Sequence, residues 1–383
     1  MEIKHGVISA DSHGVLGPDA MTSRMSAKKW GDKIPHLVEV EDDGRMVERW
    51  SVYGKVGSGN VANCPAVMGE PFPHFPERWE EVPENAYVPS ERLKALDIDG
   101  VDAEVLFPNA PYFSLYSFGD VEFEMDVARA YNDAMAEWAQ ESDRYLPLAT
   151  VPFLCGPEAA AREIERAVSV GNRGANLMGE FPAPLPHIGD PAWDPVWAMC
   201  ESLEVPVHFH GSSGVRAGAA ARSWKGYSER QAHSASTSCS AVTPAQVIPH
   251  LIFSGITERF PKLKVVFAEA GIGGLNYSIA AMDHEWETRH LWTEGIATRP
   301  SETVRRQMFV NFWFEVEGIK LRYDIGVDNL MWESDFPHVA CYYPNSAASI
   351  EKVLGDIPED ERRKLLYENA IRIYGIKAAV PVA

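Results

Sequence analysis

RGANLMGEFPAPLPHIGDPAWDPVWAMCESLEVPVHFHG, Arg173–Gly211, holds the unit that the rest of the chain repeats. Residues 174–178 form a short apolar run of strand length, and a loop rich in Pro and Gly follows. Asp190 then supplies a start signal for a helix over 193–203, whose stripe of Trp193, Val196, Trp197 and Cys200 reads as a core face. Residues 205–210 turn apolar again and close on His-Phe-His. Strand, loop, helix and strand in this order make a βαβ unit.

The same rhythm runs outward in both directions. Further strands are expected over 6–10, 103–107, 147–151, 263–268, 308–314 and 329–333, which makes eight. Helices are expected over 123–142, 157–170, 244–260, 275–286, 319–323, 347–354 and 359–374. Eight strands alternating with helices favour an α/β fold, a (β/α)8 TIM barrel as a single domain over 1–383, above a doubly wound open sheet. The first connection is too long for a barrel loop: an insertion over 14–96 includes Cys64–Trp79 with four prolines. Long insertions of this kind serve as lids or interface arms, and this one is read as a lid, with Trp50 and Trp79 lining it or a subunit contact. Its GKVGSGN run, Gly54–Asn60, lacks the closing Gly-Lys-Ser/Thr of a phosphate loop.

With 35 Lys+Arg against 55 Asp+Glu, the net charge of -20 repels nucleic acid and anionic membranes. No apolar stretch reaches the length of a signal peptide or a membrane span, so a cytoplasmic protein is expected. The five cysteines are scattered and never paired as CxxC, which argues against disulfides and thiolate zinc sites.

Groups able to do chemistry gather at four strand ends: Asp11-Ser-His13, His208-Phe-His210, Glu269-Ala-Gly271 and Glu333-Ser-Asp335-Phe-Pro-His338. In extended backbone, residues two apart point to one side, so Asp11 and His13 share a face, as do His208 and His210. Each alone is ordinary: a turn-capping Asp, a core His, a helix-entry Glu. Together, at the mouth of a closed barrel, their carboxylates would repel one another unless a cation neutralised them. Asp11, Glu269 and Asp335 beside two or three imidazoles form a harder donor set than a His-rich zinc site, suited to Mn or Fe. Three carboxylates would also balance two ions, so a dinuclear Fe or Mn/Fe oxygenase is an alternative. Asn109, Asn176 and Glu315 at other strand ends, and Arg216 in a loop with Arg222, Lys225 and Arg230, are expected substrate contacts.

ISADSH, YVPSERLKALDIDGVDAEVLFPN, AYNDAMAEWA, DPAWDPVWAMCESLEVPVHFHGSSG, LIFSGITERFPKLKVVFAEAGIGGL and DNLMWESDFPH follow one another along the chain. In that order they resemble the amidohydrolase-related group of the amidohydrolase superfamily, the branch with the aminocarboxymuconate-semialdehyde decarboxylase-like enzymes. The resemblance implies a distorted (β/α)8 barrel holding a divalent metal, Zn or Mn foremost. It implies Asp11, His13, His210 and Asp335 as ligands, and Glu269 where many relatives carry a histidine. Asp335 would take a proton, and His338 or His208 would return one to the leaving group. His208 has no fixed counterpart: a second ligand, a substrate contact, or a filler one layer deeper.

Two reactions follow from the resemblance. One is hydrolysis of a C–N or C–O bond by a metal-activated water; the other is non-oxidative decarboxylation of a small carboxylated molecule held on the metal. The chain departs from close members at Gly274, where they carry Trp, and lacks the strand-four lysine of carboxylate-bridged binuclear centres. A homo-oligomer, most simply a dimer, is implied. A non-catalytic partner subunit is the reading outside enzymes.

Overall fold

A computed structural model describes residues 1–109, 118–178, 181, 185–211, 226, 228–238 and 242–379. The chain divides into two compact units: Met1–Gly174 with Ser334–Ala348 and Lys377–Ala383, and Ala175–Glu333 with Ser349–Ile376.

The first unit holds strands β1 (Ile8–Gly14), β2 (His36–Asp42), β3 (Arg45–Val52), β4 (Lys55–Val56), β5 (Ala103–Pro108), β6 (Tyr145–Pro147) and β7 (Ala149–Thr150). β1, β5 and β6 pair in parallel in that order. β1 is buried along its whole length, as expected of a parallel strand covered on both faces. Between Ser9 and Ser12 it advances three residues while β5 advances two, from Glu104 to Leu106, so β1 bulges around Ala10 and Asp11. Two helices cover this sheet's unit. Pro89–Asp99 starts on Pro and stops at Gly100, whose φ of 75° is a left-handed cap. Val121–Glu141 is capped by Asp120 and buries Phe123, Val127, Tyr131 and Met135, one residue per turn.

The insertion folds on its own core. β2, β3 and β4 form an antiparallel meander, turned at Asp43-Gly44 and Tyr53-Gly54, where all four residues have positive φ. Val15, Val61, Ala62, Cys64, Val82 and Ala86 pack beneath it. Trp50 is buried with its Nε1 donating to the Val61 carbonyl at 2.8 Å, and Trp79 meets Tyr87 edge-on at 5.1 Å. Both tryptophans therefore serve this local packing, a departure from the lining role expected of them.

The second unit holds β8 (Ala175–Leu177), β9 (Val207–His210), β10 (Val265–Ala268), β11 (Met308–Phe312) and β12 (Leu330–Trp332), all parallel and in sequential order. Each of the eight expected strand positions is occupied by a strand, one of them split into β6 and β7. The α/β class is as expected. The helix expected over 193–203 begins as a tight turn, Pro191–Trp193, with Asp190 accepting from the Ala192 amide, and continues as Asp194–Ser202. The helix expected over 244–260 is broken by Gly255, φ 76°, into Val242–Phe253 and Ile256–Arg259. The last expected helix contains a wider π turn at Lys364–Glu368. Among the described residues, no helix is long and apolar enough to cross a membrane.

Candidate metal centre

In the first unit, the end of β1 and the segment Ser334–His338 are tied along their backbones. The Asp335 amide donates to the Asp11 carbonyl at 3.0 Å, and the His13 amide to the Phe336 carbonyl at 2.7 Å. Hydroxyls reinforce this: Ser9 Oγ accepts from the Ser334 amide at 2.9 Å, and Ser334 Oγ lies 3.0 Å from Ser9 Oγ and 3.1 Å from Ser12 Oγ. Asp335 itself sits at φ 57°, a left-handed conformation that costs a side-chain-bearing residue free energy and persists where surrounding bonds impose it.

These ties bury Asp11, His13 and Asp335, all at 1% exposure or less. His13 Nδ1 lies 3.3 Å from the Pro108 carbonyl, which only accepts, so Nδ1 carries the proton. In the neutral ring, Nε2 then presents a lone pair, 3.3 Å from Asp335 Oδ1 and 3.6 Å from Asp11 Oδ1. Asp335 Oδ1 makes no hydrogen bond. Three buried acceptors facing one another fit a cation, whose charge offsets their repulsion. His338 Nδ1 is 3.0 Å from the same Asp335 oxygen, and its ring stacks on His13 at 3.8 Å. Asn109, just past β5, is buried.

In the second unit, His210 ends β9 and Glu269 follows β10, with His210 Nε2 3.5 Å from Glu269 Oε2. Glu269 is also left-handed, φ 47°. Its amide is gripped by both carboxylate oxygens of Glu333, at 3.1 and 3.2 Å, and Glu333 is fully buried. Gly211 leaves room for this approach: a Cβ there would lie 2.4 Å from the Glu269 carbonyl oxygen.

Other expected site residues stand elsewhere. His208 is fully buried, with Nε2 2.9 Å from the Tyr374 hydroxyl, Nδ1 3.3 Å from the Ala175 carbonyl and its ring stacked on Tyr374. Burial pushes its pKa down to about 3. The ring is neutral with both nitrogens engaged by protein, which corrects the catalytic role expected of it: it fills a deeper layer. Glu315 is corrected likewise. Its oxygens accept from the Ile272 amide at 2.6 Å and the Trp313 amide at 3.3 Å, joining the loops after β10 and β11 instead of facing substrate. Burial raises its pKa. Asn176 is half-buried on β8, and its Oδ1 makes no hydrogen bond. Arg216, Arg222 and Lys225 lie outside the described residues, and Arg230 is exposed on the helix Glu229–Thr237.

Glu333, Ser9 and Ser334 had drawn no role from sequence reasoning. The signal for Glu333 was a carboxylate two residues before Asp335 at the end of an apolar strand.

A family model described as amidohydrolase matches residues 74–376. The chain is 26% identical over 314 residues to a gamma-resorcylate decarboxylase of Polaromonas sp. (strain JS666), covering 75% of this chain and 87% of that protein. A crystal structure of an amidohydrolase from Mycobacterium avium subsp. paratuberculosis K-10 superposes with a TM-score of 0.76 at 20% identity, covering 97% of this chain and 98% of the other. A dihydroxybenzoic acid decarboxylase from Polaromonas sp. JS666, crystallised with manganese and the inhibitor 2-nitroresorcinol, gives a TM-score of 0.57 at 22% identity over 79% of this chain and 90% of that one. These likenesses carry the distorted (β/α)8 fold expected from the sequence.

Proposed function

The chain belongs to the amidohydrolase family, and from that premise we propose that it is a manganese-dependent, non-oxidative decarboxylase of a small hydroxylated aromatic acid. The observation that carries this is the convergence of His13 Nε2 with the carboxylates of Asp11 and Asp335, 3.6 and 3.3 Å away, in a buried place. Asp11, His13 and Asp335 are assigned as ligands from the first unit. His210 and Glu269 are added on the ligand pattern that the sequence lays at its strand ends. The carboxylate-rich set favours Mn over Zn, in keeping with the manganese in the Polaromonas decarboxylase. The decarboxylase relatives favour this reaction over both hydrolysis and dioxygen chemistry. A homodimer is the assembly that the family resemblance implies.

When bound, the ion would hold the substrate carboxylate with its neighbouring hydroxyl oxygen and withdraw charge from the ring. The chain's own residues supply the proton. His338, with Nδ1 3.0 Å from Asp335 Oδ1, is the proton carrier, and His13 stacked on His338 fixes the ring's plane. Delivered to the carbon that carries the carboxylate, this proton replaces the departing CO2, and the C–C bonding pair is returned to the ring.

The test is metal analysis and Mn(II) titration calorimetry, followed by CO2 release from γ-resorcylate and related hydroxybenzoates. About one tight Mn(II) per chain and CO2 release are expected. Asp335→Asn should lower turnover by about 10²–10⁴-fold, the range of a lost proton-transfer group. A chain that binds no Mn(II) overturns the reading.

A further inference from the structure

We propose that Arg92, paired with Glu104, is a positioning residue for the metal ligands of the first unit, and that its guanidinium sets metal affinity instead of fold stability. This rests on the metal reading given above.

Arg92 lies on the helix Pro89–Asp99, far in sequence from both ligand segments, and is fully buried. Its Nε and Nη2 form a two-pronged pair with the carboxylate of Glu104 on β5, with Nη2 2.8 Å from Oε2. The guanidinium also donates to three backbone carbonyls, that of Ala86 at 3.5 Å and two at the ligand segments. Nη1 donates to that of His13 at 3.0 Å, and Nη2 to that of Phe336 at 3.2 Å. The first belongs to a ligand and the second to the residue after another ligand. The Phe336 carbonyl also accepts from the His13 amide, so one planar cation closes a ring of bonds around the junction of the two segments. The guanidinium also lies over the Phe336 ring, 4.6 Å from its centroid, which fixes its plane.

A buried ion pair of this kind adds little stability over apolar residues of similar volume, because desolvating both charges offsets their attraction. What the pair does uniquely is geometric. Arg presents five donors in a rigid plane, and Lys, a point charge, cannot meet a carboxylate and two carbonyls at once. Residues that orient metal ligands typically change metal affinity by about 10–100-fold when altered.

The experiment compares Mn(II) affinity by titration calorimetry with thermal stability in EDTA, on the full chain. Arg92→Met with Glu104→Leu should leave the melting temperature in EDTA unchanged or higher while weakening Mn(II) by about 10–100-fold. Arg92→Lys alone, which keeps the charge, should also weaken Mn(II) at least about tenfold, and it decides the matter where the double variant does not fold. Wild-type affinity in either folded variant overturns the proposal, as does an Arg92→Lys loss of stability in EDTA without a loss of affinity. No Mn(II) binding by the wild type would instead overturn the metal reading beneath it.

Discussion

Glu333 shows how a single side chain supports a site without facing it. Its carboxylate holds the Glu269 amide in place while Glu269 keeps a left-handed backbone. Glu333→Ala removes the carboxylate to which that amide donates, and should destabilise the protein by about 1–3 kcal/mol, the range for the loss of a buried hydrogen-bonding partner. Mn(II) affinity should fall with it by about 10–100-fold, as for other residues that orient ligands. Urea unfolding and titration calorimetry check the two effects separately. At this scale the sequence was legible in kind but not in depth. Alternation along a strand says which face His208 and His210 share; it does not say that one of them lies a layer below, against Tyr374. Glu315 was hidden for a similar reason: a carboxylate at a strand end faces a substrate or a neighbouring loop's amides, and only the fold decides which.

Elements depend on partners remote in sequence. Helix Pro300–Gln307 follows Arg299, which provides no side-chain cap, and Asp283 from helix Leu275–Thr288 serves in its place. Its oxygens accept from the Ser301 amide at 2.9 Å and from Arg299 Nε at 2.8 Å. Burial pushes the Asp283 pKa up, but the hydrogen bonds from Arg299 and Ser301 outweigh it and hold the carboxyl below its ordinary value. The sign follows directly. The stabilisation is present above the unfolded carboxyl's pKa, near 4, and fades as the pH falls through the lower folded value. Asp283→Asn should therefore cost up to about 1 kcal/mol at pH 7 and progressively less below pH 4, read from chemical unfolding against pH. Where β9 ends, Gly211→Ala sets a Cβ against the Glu269 carbonyl, so the two strand ends must part. Mn(II) affinity should drop at least about tenfold, as when a ligand is misaligned. The meander β2–β3–β4 was legible and passed over. HLVEVEDDGRMVERWSV, residues 36–52, has strand alternation on either side of Asp-Gly, but the Pro- and Trp-rich insertion around it reads as a whole, as a lid.

For the whole molecule, each of the two units is assembled from stretches of chain far apart in sequence. Such a division is invisible in sequence, where helix and strand rhythm is continuous and contact partners are far apart. A metal bound only by the folded chain adds about 2.7 kcal/mol of stability at a concentration one hundred times its Kd. Mn(II) should therefore raise the melting temperature by several degrees, and EDTA should reverse it. Asp335→Asn should show little of this shift in the same calorimetric scans. Asp335 and Glu269, both carboxylate residues in left-handed backbone, bear on the protein's evolution as well. Each holds about 1–3 kcal/mol of backbone strain, and Asp335 adds a buried polar group, so selection for catalysis keeps a local misfit that selection for persistence alone would discard. A lineage released from turnover should drift to glycine or asparagine at these positions, and its metal-free descendants should melt higher than this chain does.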